Sequence, residues 1–271
     1  MGAMRASYDA FNLLYAVSLI LFFIDIIHPR RFVNRTALVL LFGAFVLDTV
    51  FLFLRLRAYG HVPVYSRFDV LLVLSWLILL AALVLDAFFK VGLLVFFVNV
   101  VGYASVAFDL YRPNGNIHYP THMADLLVVH ISLAVVSYAC FVFAFVASFM
   151  YLIQDWLLRA KRWNQWYFRL PALERLDTYA FRAVVLGVPT LLVAMVLGVI
   201  WGKVVLGRWV ILDPKPLATF IVWLMYSVYL GFRLRSGWGG RALARFNMAC
   251  AVAVFLNFVV VNVYSNFHHA F

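Results

Sequence analysis

The sequence predicts an all-α fold: a polytopic membrane bundle of eight transmembrane helices with both termini outside. Three observations carry that expectation. The chain is 66% hydrophobic and 12% charged, whereas soluble domains average about 45–50% apolar and about 25% charged. Apolar stretches of near-bilayer length recur along it, and basic residues gather in alternate connections. A soluble chain of 271 residues could not hide that much apolar surface, so lipid must be the main solvent. A single membrane domain, 1–271, is expected, with front helices at about 8–109 and a core at about 120–271.

A hydrocarbon core of about 30 Å needs roughly 20 apolar residues. The stretches that qualify run at about 8–28, 36–55, 69–88, 91–109, 125–154, 183–203, 217–234 and 243–265. The first, Tyr8–Ile27, lacks a small-residue cleavage pattern and reads as a span rather than a removable signal. The third and fourth are separated by a tight turn near Phe89-Lys90. The fifth exceeds a bilayer and should tilt or project on the inner side.

An outside N-terminus places Arg30, Arg31, Arg35, Lys90, Arg159, Lys161, Arg162, Arg169, Arg175, Arg182, Arg233, Arg235, Arg241 and Arg245 inside. Arg5, Arg112, Lys203, Arg208 and Lys215 fall outside, together with Arg55, Arg57 and Arg67, which run against the trend. The bias follows the positive-inside rule. Orientation therefore accounts for the net charge of +11, and no nucleic-acid partner is expected. Cys140 and Cys250 form neither CxxC nor CxxCH, so disulfide shuttling and covalent haem attachment are not expected. Without a glycine-rich phosphate loop, H-E-x-x-H or G-x-S-x-G, nothing points to a nucleotidase, protease or hydrolase. The protein is not expected to be an enzyme.

The histidines carry most of the chemistry. Under this orientation His61, His118, His122, His130, His268 and His269 gather at the outer side, and His28 falls inside. His130 enters about one and a half turns into the fifth span, where a polar ring needs a partner. Ser137 and Phe141 share its stripe. His268 follows the last apolar run, and adjacent residues point about 100° apart, so one of His268 and His269 should reach a given ligand. The bland alternatives stay open: a ring bonded to a neighbouring helix, and a solvated tail. Zinc wants four close ligands, and Pro120 interrupts the His118/His122 spacing. Haem needs two axial imidazoles and an apolar surround. The aromatic, half-polar connection Trp201–Lys215 could supply that surround, with Lys203, Arg208 or Lys215 meeting the propionates. An interfacial aromatic belt would equally explain Trp201 and Trp209. Asp213-Pro214 reads as the start of the next helix. Asp48, well inside the second span, has no assigned role.

Several motifs then resemble a known family. They are Leu170-Pro171-Ala172-Leu173-Glu174-Arg175-Leu176-Asp177, then Arg182, Gly187, Pro189, Gly198, Trp201-Gly202, Trp209 and Asp213-Pro214-Lys215. Trp223, Tyr226, Tyr229, Arg233 and Gly237-Trp238 continue the series. Together with the run His130–Phe141, Val261-Asn262 and Phe267-His268, they resemble the cytochrome c assembly protein family of CcsA- and CcmC-like haem-handling membrane proteins. The likeness is strong over about 120–271 and extends weakly through Pro63-Val64 and Asp69. Leu212 and Pro216 depart from that family's tryptophan-rich WWD motif, and the short chain is closest to its HemX branch.

The resemblance implies a non-covalent haem b, with His130 and His268 as external ligands. Trp201, Gly202, Trp209 and Asp213 would belong to the haem-facing segment. It implies a multi-pass protein of the bacterial cytoplasmic membrane. Its partners would be haem, the lipid bilayer, and either glutamyl-tRNA reductase, whose level it would regulate, or a haem-biosynthesis or cytochrome c assembly protein. The alternatives are delivery of haem for cytochrome c ligation and a non-haem small transporter.

Overall fold

In lipid no water satisfies backbone N–H and C=O groups, so each apolar stretch must close its own hydrogen bonds as helix. The computed structural model describes residues 2–60, 62–64, 66–89, 92–108, 124–162, 165–235 and 238–258. Among them the helices are α1 (Gly2–Ile27), α2 (Arg31–Tyr59), α3 (Arg67–Phe89), α4 (Gly92–Phe108), α5 (Ala124–Arg159), α6 (Gln165–Arg169), α7 (Leu173–Leu206), α8 (Pro214–Arg235) and α9 (Arg241–Leu256). No strand occurs among the described residues. The fold is an all-α, polytopic helical bundle.

Among the described residues six helices are long and apolar enough to cross a membrane: Arg5–Ile27, Arg31–Ala58, Arg67–Phe88, Asp125–Arg159, Leu173–Val205 and Pro214–Arg235. α4 and the described part of α9 are shorter, at 17 and 16 residues. Large apolar side chains such as Leu13, Val39, Phe42, Leu186 and Val193 stay exposed along the spans, as lipid-facing surfaces do.

Helices run past the expected apolar stretches at several ends, and furthest at the start of α7. α7 begins at Leu173, ten residues before the apolar stretch at 183, and α6 occupies part of the expected connection. Hydropathy marks where lipid starts, not where helix starts. Glu174 in the first turn favours the positive helix end without being apolar.

The chain divides into two compact units, residues 1–114 and 115–271. In the first, α1 and α2 pack as an antiparallel pair. Tyr8, Phe11, Tyr15, Ser18 and Phe22 form the buried stripe of α1, and Ala37, Leu41, Ala44, Asp48, Phe51 and Arg55 that of α2. Both stripes repeat at three- and four-residue spacing, the signature of one buried helix face. Ser18 donates to the Ala37 carbonyl at 2.8 Å. The short α1–α2 turn closes on Asp25, which accepts from the Arg30 amide and the Asn34 side chain. α2 ends at Gly60, whose φ of 72° is left-handed backbone that glycine adopts without penalty.

Arg55 explains why it defies the charge bias: it is no loop residue. It is fully buried, its guanidinium stands 2.6 Å from Asp69 of α3, and it lies over the Phe51 and Phe68 rings. Ser66 donates its hydroxyl to the other Asp69 oxygen at 2.7 Å.

In the second unit α5 runs antiparallel to α7 and α9 and parallel to α8. Phe141 of α5 meets Gly187 of α7 and stacks on Tyr226 of α8 with ring centroids 3.8 Å apart and planes 4° apart. Asn247 of α9 donates to the Ala144 carbonyl and the Ser148 hydroxyl. One end of this unit is laced by charge. Asp155 of α5 pairs with Arg159 and Arg241, and Asp177 of α7 pairs with Arg233 of α8 and accepts from the Gly240 amide. The opposite end gathers the start of α5, the end of α7, the start of α8 and Asn257 after α9.

Removing one partner of a buried ion pair strands the other charge, at a cost of about 3–5 kcal/mol. Arg55→Met should therefore destabilise the first unit by that order in detergent unfolding experiments, and adding Asp69→Leu should recover most of the loss.

Candidate functional site

His130 lies on α5 near its start, at the end of the unit away from the Asp155 and Asp177 ion pairs. Its Nδ1 is 2.6 Å from the carbonyl oxygen of Ala194 on α7. A carbonyl can accept but never donate, so Nδ1 carries the proton and Nε2 keeps its lone pair. Ala194 can take this bond although it lies mid-helix, because a carbonyl oxygen has two lone pairs.

Gly198, one turn further along α7, makes the approach possible. A Cβ there would lie 2.5 Å from His130 Cε1 and 2.8 Å from Nδ1, distances that van der Waals contact forbids. The imidazole thus lies against bare backbone, with Gly187 doing the same for Phe141 eleven residues along α5. Small residues at 187, 194 and 198 let the two helix backbones come close, as they commonly do between membrane helices.

The connection after α7 folds back on the same region. Trp201 and Gly202 are buried on the α5-facing side of α7. A Cβ on Gly202 would lie 2.6 Å from Val210 Cγ2, so the glycine is what admits Val210. Gly207, with φ of 69°, turns the chain. Arg208 forms a two-pronged pair with Asp213, at 3.0 and 3.1 Å, which braces the loop. The Asp213 carbonyl then accepts from the Leu217 amide at 3.1 Å and opens α8, with Pro214 at the first helical position, where its missing N–H costs nothing. Val210 is buried, while Trp209 is 63% and Leu212 86% exposed. The Lys203 ammonium sits 5.1 Å from the Trp209 ring centre.

A second network ties the same end together. Asn257 donates to the Tyr138 hydroxyl at 3.3 Å and to Thr219 at 3.2 Å, and Lys215 donates to the Asn257 backbone carbonyl at 3.2 Å. α9 therefore leaves the described residues at the His130 end of the unit.

The structure thus brings His130 together with Ala194 and Gly198, and packs Gly202 against the loop that carries Trp209 and Asp213. It gives the three cations expected near the propionates other engagements: Arg208 with Asp213, Lys203 with Trp209, Lys215 with Asn257. His268 lies outside the described residues, as do His61, His118, His122 and His269. His28 is exposed at the end of α1. Ser137, on the His130 stripe, is fully buried. The Ala194 carbonyl was invisible to sequence reasoning, since a backbone acceptor leaves no mark in residue identity. Gly198 did leave one, a glycine in register with Trp201 and Gly202 inside an apolar run. The Tyr138–Asn257–Thr219 network could have been sought as polar residues at the ends of three spans. Among the described residues no cluster of His, Cys, Asp and Glu could hold a metal ion by itself.

A chain of crossing apolar helices, with one imidazole pinned at a helix interface, is a multi-pass integral membrane protein. The description "Cytochrome C assembly protein" matches residues 64–269, and the chain belongs to that family. Among curated proteins it is 35% identical over 261 residues to Protein HemX of Brevibacillus brevis, covering 96% of each chain. It is 34% identical over 263 residues to Protein HemX of Bacillus subtilis (strain 168), covering 94% of each. Cytochrome c biogenesis protein CcsA of Prochlorococcus marinus (strain MIT 9312) is 26% identical over 242 residues, with 80% of this chain and 78% of that one covered.

Gly198→Leu should drive a side chain into the His130 ring and lower stability by about 1–3 kcal/mol, the usual range for overpacking. His130→Ala in the same chain should recover much of that loss. Additive effects in thermal unfolding of the single and double variants would contradict the contact.

Proposed function

We propose that this protein binds one haem b non-covalently, without catalysing a reaction, between His130 and His268. The site would face the outer side of a bacterial cytoplasmic membrane. The observation that carries this reading is the Nδ1 bond to the Ala194 carbonyl. Metal-bound histidines characteristically donate the other ring N–H to a carbonyl or carboxylate, which fixes both tautomer and orientation. The donor set fits an iron porphyrin: His130 offers Nε2, and His268 comes after α9 in the sequence, whose described residues end at the His130 end of the unit. Trp201, Gly202, Trp209 and Asp213 would form the covering segment, with the exposed faces of Trp209 and Leu212 available to an apolar macrocycle. Bound haem would supply a redox-active iron and a signal of haem status; the chain's own residues supply the ligands, their orientation and the exclusion of water.

Eight spans with both termini outside accompany this reading. Support comes from the charge pattern of the second unit. Arg159, Lys161, Arg162, Arg175, Arg233, Arg235 and Arg241 lie at the end opposite His130, which the positive-inside rule makes cytoplasmic. Likeness to the two HemX proteins favours haem handling in support of haem biosynthesis, with the cytoplasmic end regulating the level of glutamyl-tRNA reductase. The match to the family and to CcsA favours a second use, delivery of haem in cytochrome c maturation.

Purified protein supplied with haem should give a six-coordinate low-spin absorption spectrum. His130→Ala and His268→Ala should each abolish it, and His130→Gly should regain it on adding imidazole; unchanged spectra in both alanine variants would overturn the site. In cells, Lys161→Gln/Arg162→Gln/Arg175→Gln should leave that spectrum intact while releasing control of glutamyl-tRNA reductase abundance. The maturation reading instead expects loss of covalently haem-stained cytochromes when the chain is deleted.

A further inference from the structure

Asp48 stands in the middle of α2, within the apolar stripe formed by Leu41, Ala44 and Phe51. It is completely buried, and neither carboxylate oxygen has a hydrogen-bond partner among the described residues. Arg55, two turns along the same helix, is engaged with Asp69 instead. A lone carboxylate taken out of water is too costly to persist there uncompensated, and ionisable groups at such depth characteristically mark an ion or proton site.

Its surroundings are made of oxygen. The Asn99 amide nitrogen donates to the Val95 carbonyl at 2.8 Å, which turns Oδ1 toward Tyr15. The Tyr15 hydroxyl gives its single proton to that Oδ1 at 2.8 Å, with the Asn99 backbone oxygen at 3.2 Å. Tyr15 therefore has no proton left to give its other neighbours, Asp48 and Ser75. Ser75 is also fully buried. Gly102 of α4 keeps space for the tyrosine, since a Cβ there would lie 2.6 Å from the hydroxyl, and Tyr103 stands edge-on to its ring at 5.3 Å. The polar cluster beside Asp48 is thus gathered about the Tyr15 hydroxyl of α1, with Ser75 from α3 and Asn99 and Tyr103 from α4. None of these carries a positive charge.

A carboxylate only accepts, and Asp48 has no donor among the described residues. We propose that Asp48 is an intramembrane site for one small monovalent cation, a proton or a desolvated sodium ion, with Tyr15 as its polar neighbour. The site lies wholly within the first unit and is independent of His130.

The test uses full-length protein purified in sodium-free buffer with N-methyl-D-glucamine as the cation. At about pH 7, far above the ordinary aspartate range, the infrared spectrum should show a protonated-carboxyl stretch that disappears in Asp48→Asn. A band that persists when sodium chloride replaces the glucamine salt assigns the occupant as a proton. A band bleached by sodium, with a sodium-dependent rise in melting temperature that Asp48→Asn lacks, assigns it as sodium. The amide is isosteric and neutral, so that variant should fold and melt no lower than the parent in sodium-free buffer. Tyr15→Phe should weaken sodium dependence or shift the carboxyl band while leaving Asp48 in place. No band assignable to Asp48 together with no sodium response would overturn the proposal.

Discussion

A ring nitrogen in hydrocarbon must be hydrogen-bonded or ligating, and His130 commits Nδ1 to the Ala194 carbonyl. The bond to Ala194 satisfies Nδ1 at no expense to α7, whose carbonyl keeps its place in the helix. Everything else at this end of the second unit follows from that one contact. The ring can reach a backbone oxygen because Gly198 is beneath it, and α5 and α7 can come that close because Gly187 and Ala194 are small. The bond also selects a tautomer, so the orientation of Nε2 is set before any ligand arrives. That is preorganisation by a backbone atom, which no side-chain substitution at Ala194 would erase directly.

The first unit handles buried charge in two different ways. Arg55 and Asp69 neutralise each other, and Ser66 and two phenyl rings complete their surroundings, so the pair serves architecture. Asp48 is equally buried and has no hydrogen-bond partner among the described residues. Both residues lie on one stripe of one helix, two turns apart. Burial alone therefore does not separate a structural charge from a chemically poised one; the donor and acceptor count around each does.

Fold class was legible because composition and the spacing of apolar runs report the solvent directly. Helix ends were less legible, since α7 and α6 continue into charged sequence where hydropathy has nothing to say. His130 stood out as a lone polar ring in an apolar run, and Gly198 appeared among the family motifs. Their joint meaning needed the third dimension, because the acceptor is a main-chain oxygen sixty-four residues away. The three cations of the Trp201–Lys215 connection show the converse. Their charge suggested anion binding, whereas Arg208 braces Asp213 and Lys215 reaches Asn257. Spacing along the chain cannot tell a loop's internal brace from a ligand contact, because Arg208 and Asp213 are only five residues apart.

α5 contains neither glycine nor proline from Ala124 to Arg159, the residues at which helices usually bend. His130 and Asp155 lie on this one rod, about 37 Å apart at about 1.5 Å per residue. α7, with Gly187, Pro189 and Gly198 in its interior, has no comparable stiffness. One unbroken helix therefore joins the imidazole to the carboxylate that Arg159 and Arg241 share at the far end.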